Sequence, residues 1–344
     1  MSTTPDHPGA ETPIDVVAVG NALVDFVVTR EDAEVEAAGV VKGSMNLIDE
    51  PTADRLQRDL VTGSVTATSG GSAANTVVGV ANLGGTAALI ANVADDPVGR
   101  LFTDDLRAAG VIFEPRPASE GPGSGRCIVF VHPDAERTMS TFLGAASNLR
   151  PADVDRDLVA RGQVTYLEGY LWDLPDAMAA LREAARDARA AGGKVALSLS
   201  DSFAVERHRD SFRELVEKDV DLLFANEGEI LLLFGVDSFD KAAAAAADLD
   251  LVAALTRGAQ GSVVVAGSET IAVPAVPVEK VVDTTGAGDL YAAGFLYGFT
   301  HGEDLERCAR LGAVAAGEVI GHFGARPQAS LRDLAVRALG SIRD

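Results

Sequence analysis

Short apolar runs bounded by glycine or polar residues recur along the chain. The first, IDVVAVG at 14–20, is rich in valine and ends in glycine, as a buried strand feeding a loop does. KVALSLS (194–200), VDLLFAN (220–226), DLVAALT (250–256) and GSVVVAG (261–267) share that character and read as interior strands. Helix formers separate them: LPDAMAALREAARDARAAGG (174–193) is closed by paired glycines, and KAAAAAADLD (241–250) is an ordinary alanine-rich helix. This alternation predicts an α/β domain with a mostly parallel central sheet flanked by helices.

Two regions depart from the rhythm. Residues 23–49, and residues 123–144 with CIVFV and RTMSTFLG around the turn HPDAE, read as a small β-sheet beside the main domain. Such an excursion after the first strand, joined by a second from mid-chain, predicts a lid over the strand ends where open α/β sheets bind ligands. The organisation expected is a loose N-terminal tail over 1–13, then one domain over 14–344 that carries the lid.

Composition narrows the classes of function. Of the 344 residues, 47% are hydrophobic and 23% charged, a globular balance. With 51 acidic against 29 basic residues the formal charge is −22, which repels nucleic acid and anionic membranes but leaves a local nest of backbone amides free to bind phosphate. Cys127 and Cys308 lie far apart, without metal-ligand spacing, and read as buried thiols. The start shows no basic segment followed by an apolar one, and no apolar window is long enough to span a bilayer, so a cytoplasmic protein is expected.

The chemistry concentrates in glycine-bearing turns. In DTTGAGD (283–289) a Thr/Gly turn enters a helix, so Gly286, Ala287 and Gly288 present bare amides at the positive end of the helix dipole, suited to a phosphoryl group. Asp289 is placed to take the proton of an attacking hydroxyl, or it caps the helix. TSGGSAAN puts Gly70 and Gly71 at a helix entry and Asn75 one turn inside, where a polyol can approach the backbone and find both donor and acceptor. Asn21 and Asp25 form another polar pair after the first strand. Asn226 and Glu229 follow VDLLFA, as organisers of magnesium-bound water or as a cap with a first-turn acid. TRGAQG supplies Thr256, Gly258 and Gly261, as a phosphate-side loop or a plain hairpin. No G-x-G-x-x-G follows the first strand, which argues against a dinucleotide oxidoreductase.

These motifs, in this order, resemble the ribokinase-like, or phosphofructokinase B, family, over nearly the whole chain. Within it VGNALVD, MNLID, SGGSAANTVVGVANLGG, TFLGA, YLEGYLWD and DTTGAGDLYAAGFLYG are most similar to bacterial adenosine kinases. The resemblance implies a three-layer ribokinase-like fold with a β lid, and transfer of the ATP γ-phosphate to the 5'-hydroxyl of adenosine, with Mg2+. It also implies purine salvage, and K+ or another monovalent cation near Asp283 and Thr285. Carried over residue by residue, Asn21, Asp25, Gly70, Gly71 and Asn75 hold the ribose, and Phe142 stacks on the base, with Trp172 a further base-site residue. Asn226, Glu229, Thr256, Gly258 and Gly261 serve ATP and magnesium. The late segment LGAVAAGEVIGHFGARP lines the adenine pocket, and Arg137 on the lid reads as a solvated salt bridge. Leu290 and Tyr291 after the base depart from the family pattern, as GGSAAN departs from the GGATQN of animal adenosine kinases, and so nucleoside choice stays open. A kinase for another nucleoside or for ribose or fructose, and a nucleoside-binding pseudokinase, remain alternatives. Monomer and homodimer fit equally.

Overall fold

A computed structural model describes residues 13–134 and 136–343, and all but one residue of the expected tail lie outside them. The chain runs β1 (Ile14–Val19), β2 (Leu23–Thr29), α1 (Asp32–Ala37), β3 (Met45–Leu47), α2 (Glu50–Leu60), β4 (Val65–Gly70), α3 (Ser72–Leu83), β5 (Ala87–Ile90) and α4 (Pro97–Ala108). Then come β6 (Gly125–Val131), β7 (Arg137–Phe142), α5 (Arg156–Arg161), β8 (Gly162–Glu168), α6 (Pro175–Ala190), β9 (Lys194–Ser198), α7 (Ser202–Lys218), β10 (Leu222–Asn226) and α8 (Glu227–Phe234). The last part is α9 (Phe239–Ala247), β11 (Val252–Thr256), β12 (Ser262–Ala266), β13 (Glu269–Val273), α10 (Ala287–Thr300), α11 (Leu305–Val319) and α12 (Leu331–Leu339).

The large sheet has the order β13-β12-β11-β10-β9-β8-β1-β5. From β11 to β5 every pairing is parallel, and β12 and β13 close one edge antiparallel. GSVVVAG is an interior strand as expected, between β13 and β11, but it runs antiparallel as half of a hairpin, since the five-residue link after Thr256 is too short for a crossover. Both faces of β1 are buried: Val16 and Ala18 belong to the core on the side of α3 and α10, while Ile14, Val17 and Val19 belong to the core on the side of α5. That double burial is why the parallel strands read as continuous apolar runs.

The small sheet has the order β3-β7-β6-β2-β4. Four of its strands come from the two segments expected; β4 does not. VTATSG is mostly polar and half exposed, because an edge strand needs no apolar alternation to pair. On its outer face Val28, Ile128 and Phe130 pack under Val35 of α1 and Leu56 of α2 in a separate small core.

Candidate functional site

A cleft of about 660 Å³ lies between the C-terminal ends of the parallel strands and the inner face of the small sheet. Strand alternation decides which lid residues face it. Leu23, Asp25 and Val27 of β2, Cys127 and Val129 of β6, and Arg137, Met139 and Thr141 of β7 point inward. Phe142, one residue out of phase, is buried on the other face under the Arg126 guanidinium and does not line the cleft. Trp172 is also turned away: its ring stacks on Phe212 at 4.7 Å and its Nε1 donates to Ser211. The aromatic rings that do line the cleft include Tyr170 and Phe203, 42% and 67% exposed, which the sequence pattern did not single out. Both cysteines are buried as expected, their thiols pushed up to about 12 by burial.

The floor is a polar knot that begins at the end of β1. Glu168, the last residue of β8, lies beside Asn21 because β8 and β1 run parallel in register. Its Oε1 accepts from Asn21 Nδ2 at 2.5 Å, and its Oε2 from the backbone amides of Asn21 (3.2 Å) and Ala73 (2.9 Å). Burial raises this carboxyl to about 7. Glu168 was missed in the motif reading, although an acid closing the apolar run VTYLE is the signal that finds it. With Asn21 Nδ2 taken, its Oδ1 is buried in the cleft wall without a partner, and Asn75 Oδ1 is in the same condition. Asp25 faces them from the lid, its carboxyl raised to about 6 by burial against the opposing pull of Arg326 and Arg137. Gly70 sits where any side chain would collide with that carboxylate, and Gly71 forms the uncapped start of α3.

Opposite stands the start of α10. Gly286 precedes its first residue at φ +79°, a left-handed backbone that leaves the helix without a side-chain cap. A Cβ there would lie 2.5 Å from the Cβ of Ala325. Asp289 does not cap its own helix. Its Oδ1 accepts from Ser72 Oγ at 2.6 Å and its Oδ2 from Asn75 Nδ2 at 2.8 Å, so α3 holds the carboxylate of α10. Burial raises its pKa, and the bonds from Ser72 and Asn75 oppose the rise. Asn75, expected on the ribose alone, thus also orients the acid, while Ser72 was not singled out in the sequence.

The turn before α10 is braced by Asp283. Its Oδ1 accepts from the Thr285 amide (3.0 Å) and hydroxyl (2.8 Å), and its Oδ2 accepts from the Gly324 amide (2.8 Å) and pairs with Arg137 Nη2 (2.7 Å). Arg137 also donates to Thr285 and lies over the Phe323 ring, so it is a largely buried tie between lid and turn, not a solvated bridge. Asp283 thus has a counter-charge from within the chain.

On the far side, Asn226 caps α8 and Glu229 returns both oxygens to it, at 2.7 and 2.9 Å. Asn226, Glu229 and Thr256 line the cleft; Gly258 and Gly261 lie in the hairpin link behind Thr256 and do not. Of the late segment 311–327, Gly324 and Ala325 reach the cleft, while its first part belongs to α11 and does not line it. Among the described residues no group of three or more His, Cys, Asp or Glu is poised to hold a metal ion. No helix among the described residues is long and apolar enough to cross a membrane.

Comparison with known proteins bears on the fold and the family. The family model for pfkB family carbohydrate kinases matches residues 15–331. The solved structure of adenosine kinase from Sinorhizobium meliloti is 49% identical, with a TM-score of 0.86 over 95% of this chain and 100% of that one. A probable sugar kinase from Rhizobium etli CFN 42 is 45% identical, with a TM-score of 0.87 over 95% and 99%. Adenosine kinase from Saccharomyces cerevisiae is 28% identical over 86% of this chain and 92% of its own.

Proposed function

The chain belongs to the pfkB family of carbohydrate kinases, and we propose that within it this protein phosphorylates adenosine at the 5'-hydroxyl. It is an ATP-dependent kinase with a hydroxyl acceptor, and the family implies ATP with, typically, Mg2+ arriving with the nucleotide. The observation that carries the acceptor class is the pair of buried, unpartnered amide oxygens, Asn21 Oδ1 and Asn75 Oδ1, beside the carboxylates of Asp25 and Asp289. Four acceptor groups around one space call for a ligand with several hydroxyl donors, as a ribose has.

In this reading Asp289 takes the proton of the 5'-hydroxyl as its oxygen attacks the γ-phosphorus. The bond from that phosphorus to the bridging oxygen breaks, ADP leaves, and AMP is formed. The amides of Gly286, Ala287 and Gly288 receive the charge on the transferred group, helped by the helix dipole. Asn21, Asp25, Gly70, Gly71 and Asn75 hold the ribose. The base rests between the apolar lid face of Leu23, Val27 and Met139 and the exposed ring of Tyr170. ATP enters along Asn226 and Thr256 at the ends of β10 and β11.

Similarity to the Sinorhizobium meliloti adenosine kinase supports the choice of adenosine, and similarity to the Rhizobium etli probable sugar kinase supports a second reading, a sugar acceptor. The apolar lid favours the first, since a free sugar has no flat apolar part to cover it. A panel of nucleosides, ribose and fructose with Mg-ATP separates them. Adenosine is expected to lead in kcat/KM by roughly 100-fold or more, the scale of a base contact worth about 3 kcal/mol; ribose or fructose in the lead overturns the reading.

A further inference from the structure

Arg326 lies behind the cleft floor and has no role in the reaction as described. Its Nε donates to the carbonyl of Ser69 at 2.8 Å, its Nη1 to the carbonyl of Ala74 at 2.9 Å and its Nη2 to Ser69 Oγ at 2.6 Å. One guanidinium therefore spans the link from β4 into α3, which contains Gly70, Gly71 and Ser72. It is anchored from the residue after Ala325, against which Gly286 packs. Ser69 is gripped from the other side by Asp105 of α4, which accepts from its amide at 2.9 Å and from its hydroxyl.

All three hydrogen bonds of Arg326 end on neutral oxygens, so its charge is not consumed in a contact pair and acts on the carboxylates around it. Asp25, Asp289 and Asp105 all feel it, while burial pulls the guanidinium down to about 10. The other groups facing this space do not replace it. Arg137 of β7 acts on Asp25 but is tied to Asp283. Glu168 of β8 is coupled to Asp289 with the wrong sign, and Cys127 of β6 and Tyr166 of β8 are held neutral by burial.

We infer that Arg326 is a positioning residue of this kinase, whose hydrogen bonds set the turn that carries Ser72 and Asn75 and whose guanidinium charge favours the carboxylate forms of Asp25 and Asp289. The inference rests on the reading of Asp289 as the base.

The test follows the carboxyl carbons of Asp25 and Asp289 by 13C NMR, together with kcat/KM against pH, in the full chain. Arg326→Gln is expected to raise both midpoints and the acid limb of the rate profile by about one pH unit, the usual size of a lost neighbouring charge. Arg326→Lys restores the midpoints. Asp105→Asn, which removes the acid competing for the guanidinium, lowers them. Midpoints that stay put in Arg326→Gln, whatever its melting temperature, reduce Arg326 to a structural bond and overturn the inference. If that variant does not fold, an unmoved or raised midpoint in Asp105→Asn does the same. Midpoints that move while the rate profile does not would support the charge role and remove Asp289 as the base, so the two failures are distinguishable.

Discussion

Helices α8 and α10 both point their first turn into the cleft, and both carry a carboxylate as their third residue, yet they use it in opposite ways. In α8 the residue before the helix is Asn226. It accepts from the Glu229 amide and gives its own amide and side-chain NH2 to the Glu229 carboxylate, a closed capping box. In α10 that place is taken by Gly286, which has no side chain to offer, and Asp289 turns outward to Ser72 and Asn75 of α3. The first helix spends its terminal amides and acid on itself. In the proposed reaction the second leaves its amides for an anion and its acid for a proton. A helix start becomes a reaction site when the cap is missing and a neighbouring helix aims the acid.

The largest way to break the comparison is to remove the aimed acid. Asp289→Asn is expected to lower kcat by roughly 10³-fold, within the range of general-base losses. Adenosine affinity should stay within about threefold, since binding rests on the other acceptors. Turnover measured under saturating ATP checks it, and retained turnover removes Asp289 from the base role. Next in size is closing the open helix. Gly286→Asn supplies the cap that α8 has and places a Cβ 2.5 Å from that of Ala325, so kcat should drop by about 100-fold and the melting temperature by several degrees, the cost of a displaced contact of about 2 kcal/mol. Unchanged kinetics with a stable fold would mean that the amides of α10 are not the anion site.

A middle-sized effect tests the aiming. Ser72→Ala deletes one of the two bonds to the Asp289 carboxylate, a charge-assisted bond worth about 1.5–3 kcal/mol, so kcat should fall by roughly tenfold. Because that bond holds the ionised form, its loss raises the Asp289 pKa further, and the acid limb of the rate profile moves to higher pH. A simple drop in rate with an unmoved limb would make Ser72 a substrate contact.

The two helix starts also mark how far the chain could be read before its fold was known. DTTGAGD and N-x-x-E each show a turn, an acid and a helix in the sequence, and both acids were found. What separated them was the partner, and partners 214 or 217 residues away leave no trace in local pattern. Five strands of the large sheet, β1 and β9 to β12, were legible as continuous apolar runs, whereas β5, β8, the exposed edge strand β13 and the half-exposed edge strand β4 were not read as strands. Phe142 was misplaced by a single residue of strand phase, which inverts inside and outside. Asp25 and Asn21 lay next to a strand end and were found, whereas Glu168 and Arg326 act through neighbours that only the tertiary structure supplies.

The smallest effect is the sharpest check on α8. Burial raises the Glu229 carboxyl to about 7 from an ordinary 4.5, so the folded protein binds this proton more readily than the unfolded chain. Stability is then gained as pH falls through about 7 and is fully recovered below the unfolded value; above 7 the buried charge is a standing cost. Glu168 at about 7 and Asp25 at about 6 act in the same direction, so the melting temperature of the wild type should rise from pH 8 to pH 5 over the range in which activity fades. Glu229→Gln removes one share of that slope. Its amide cannot accept both bonds from Asn226, so it should be slightly less stable than wild type at pH 5, yet equal or better at pH 8. If the box is closed, as its bonds indicate, kcat and the magnesium requirement stay within about threefold, the scale expected of a change remote from the reacting atoms. A tenfold rise in the magnesium needed for half-maximal rate would show instead that Glu229 reaches the metal–nucleotide complex through water, and the two helix starts would then differ in partner and not in openness.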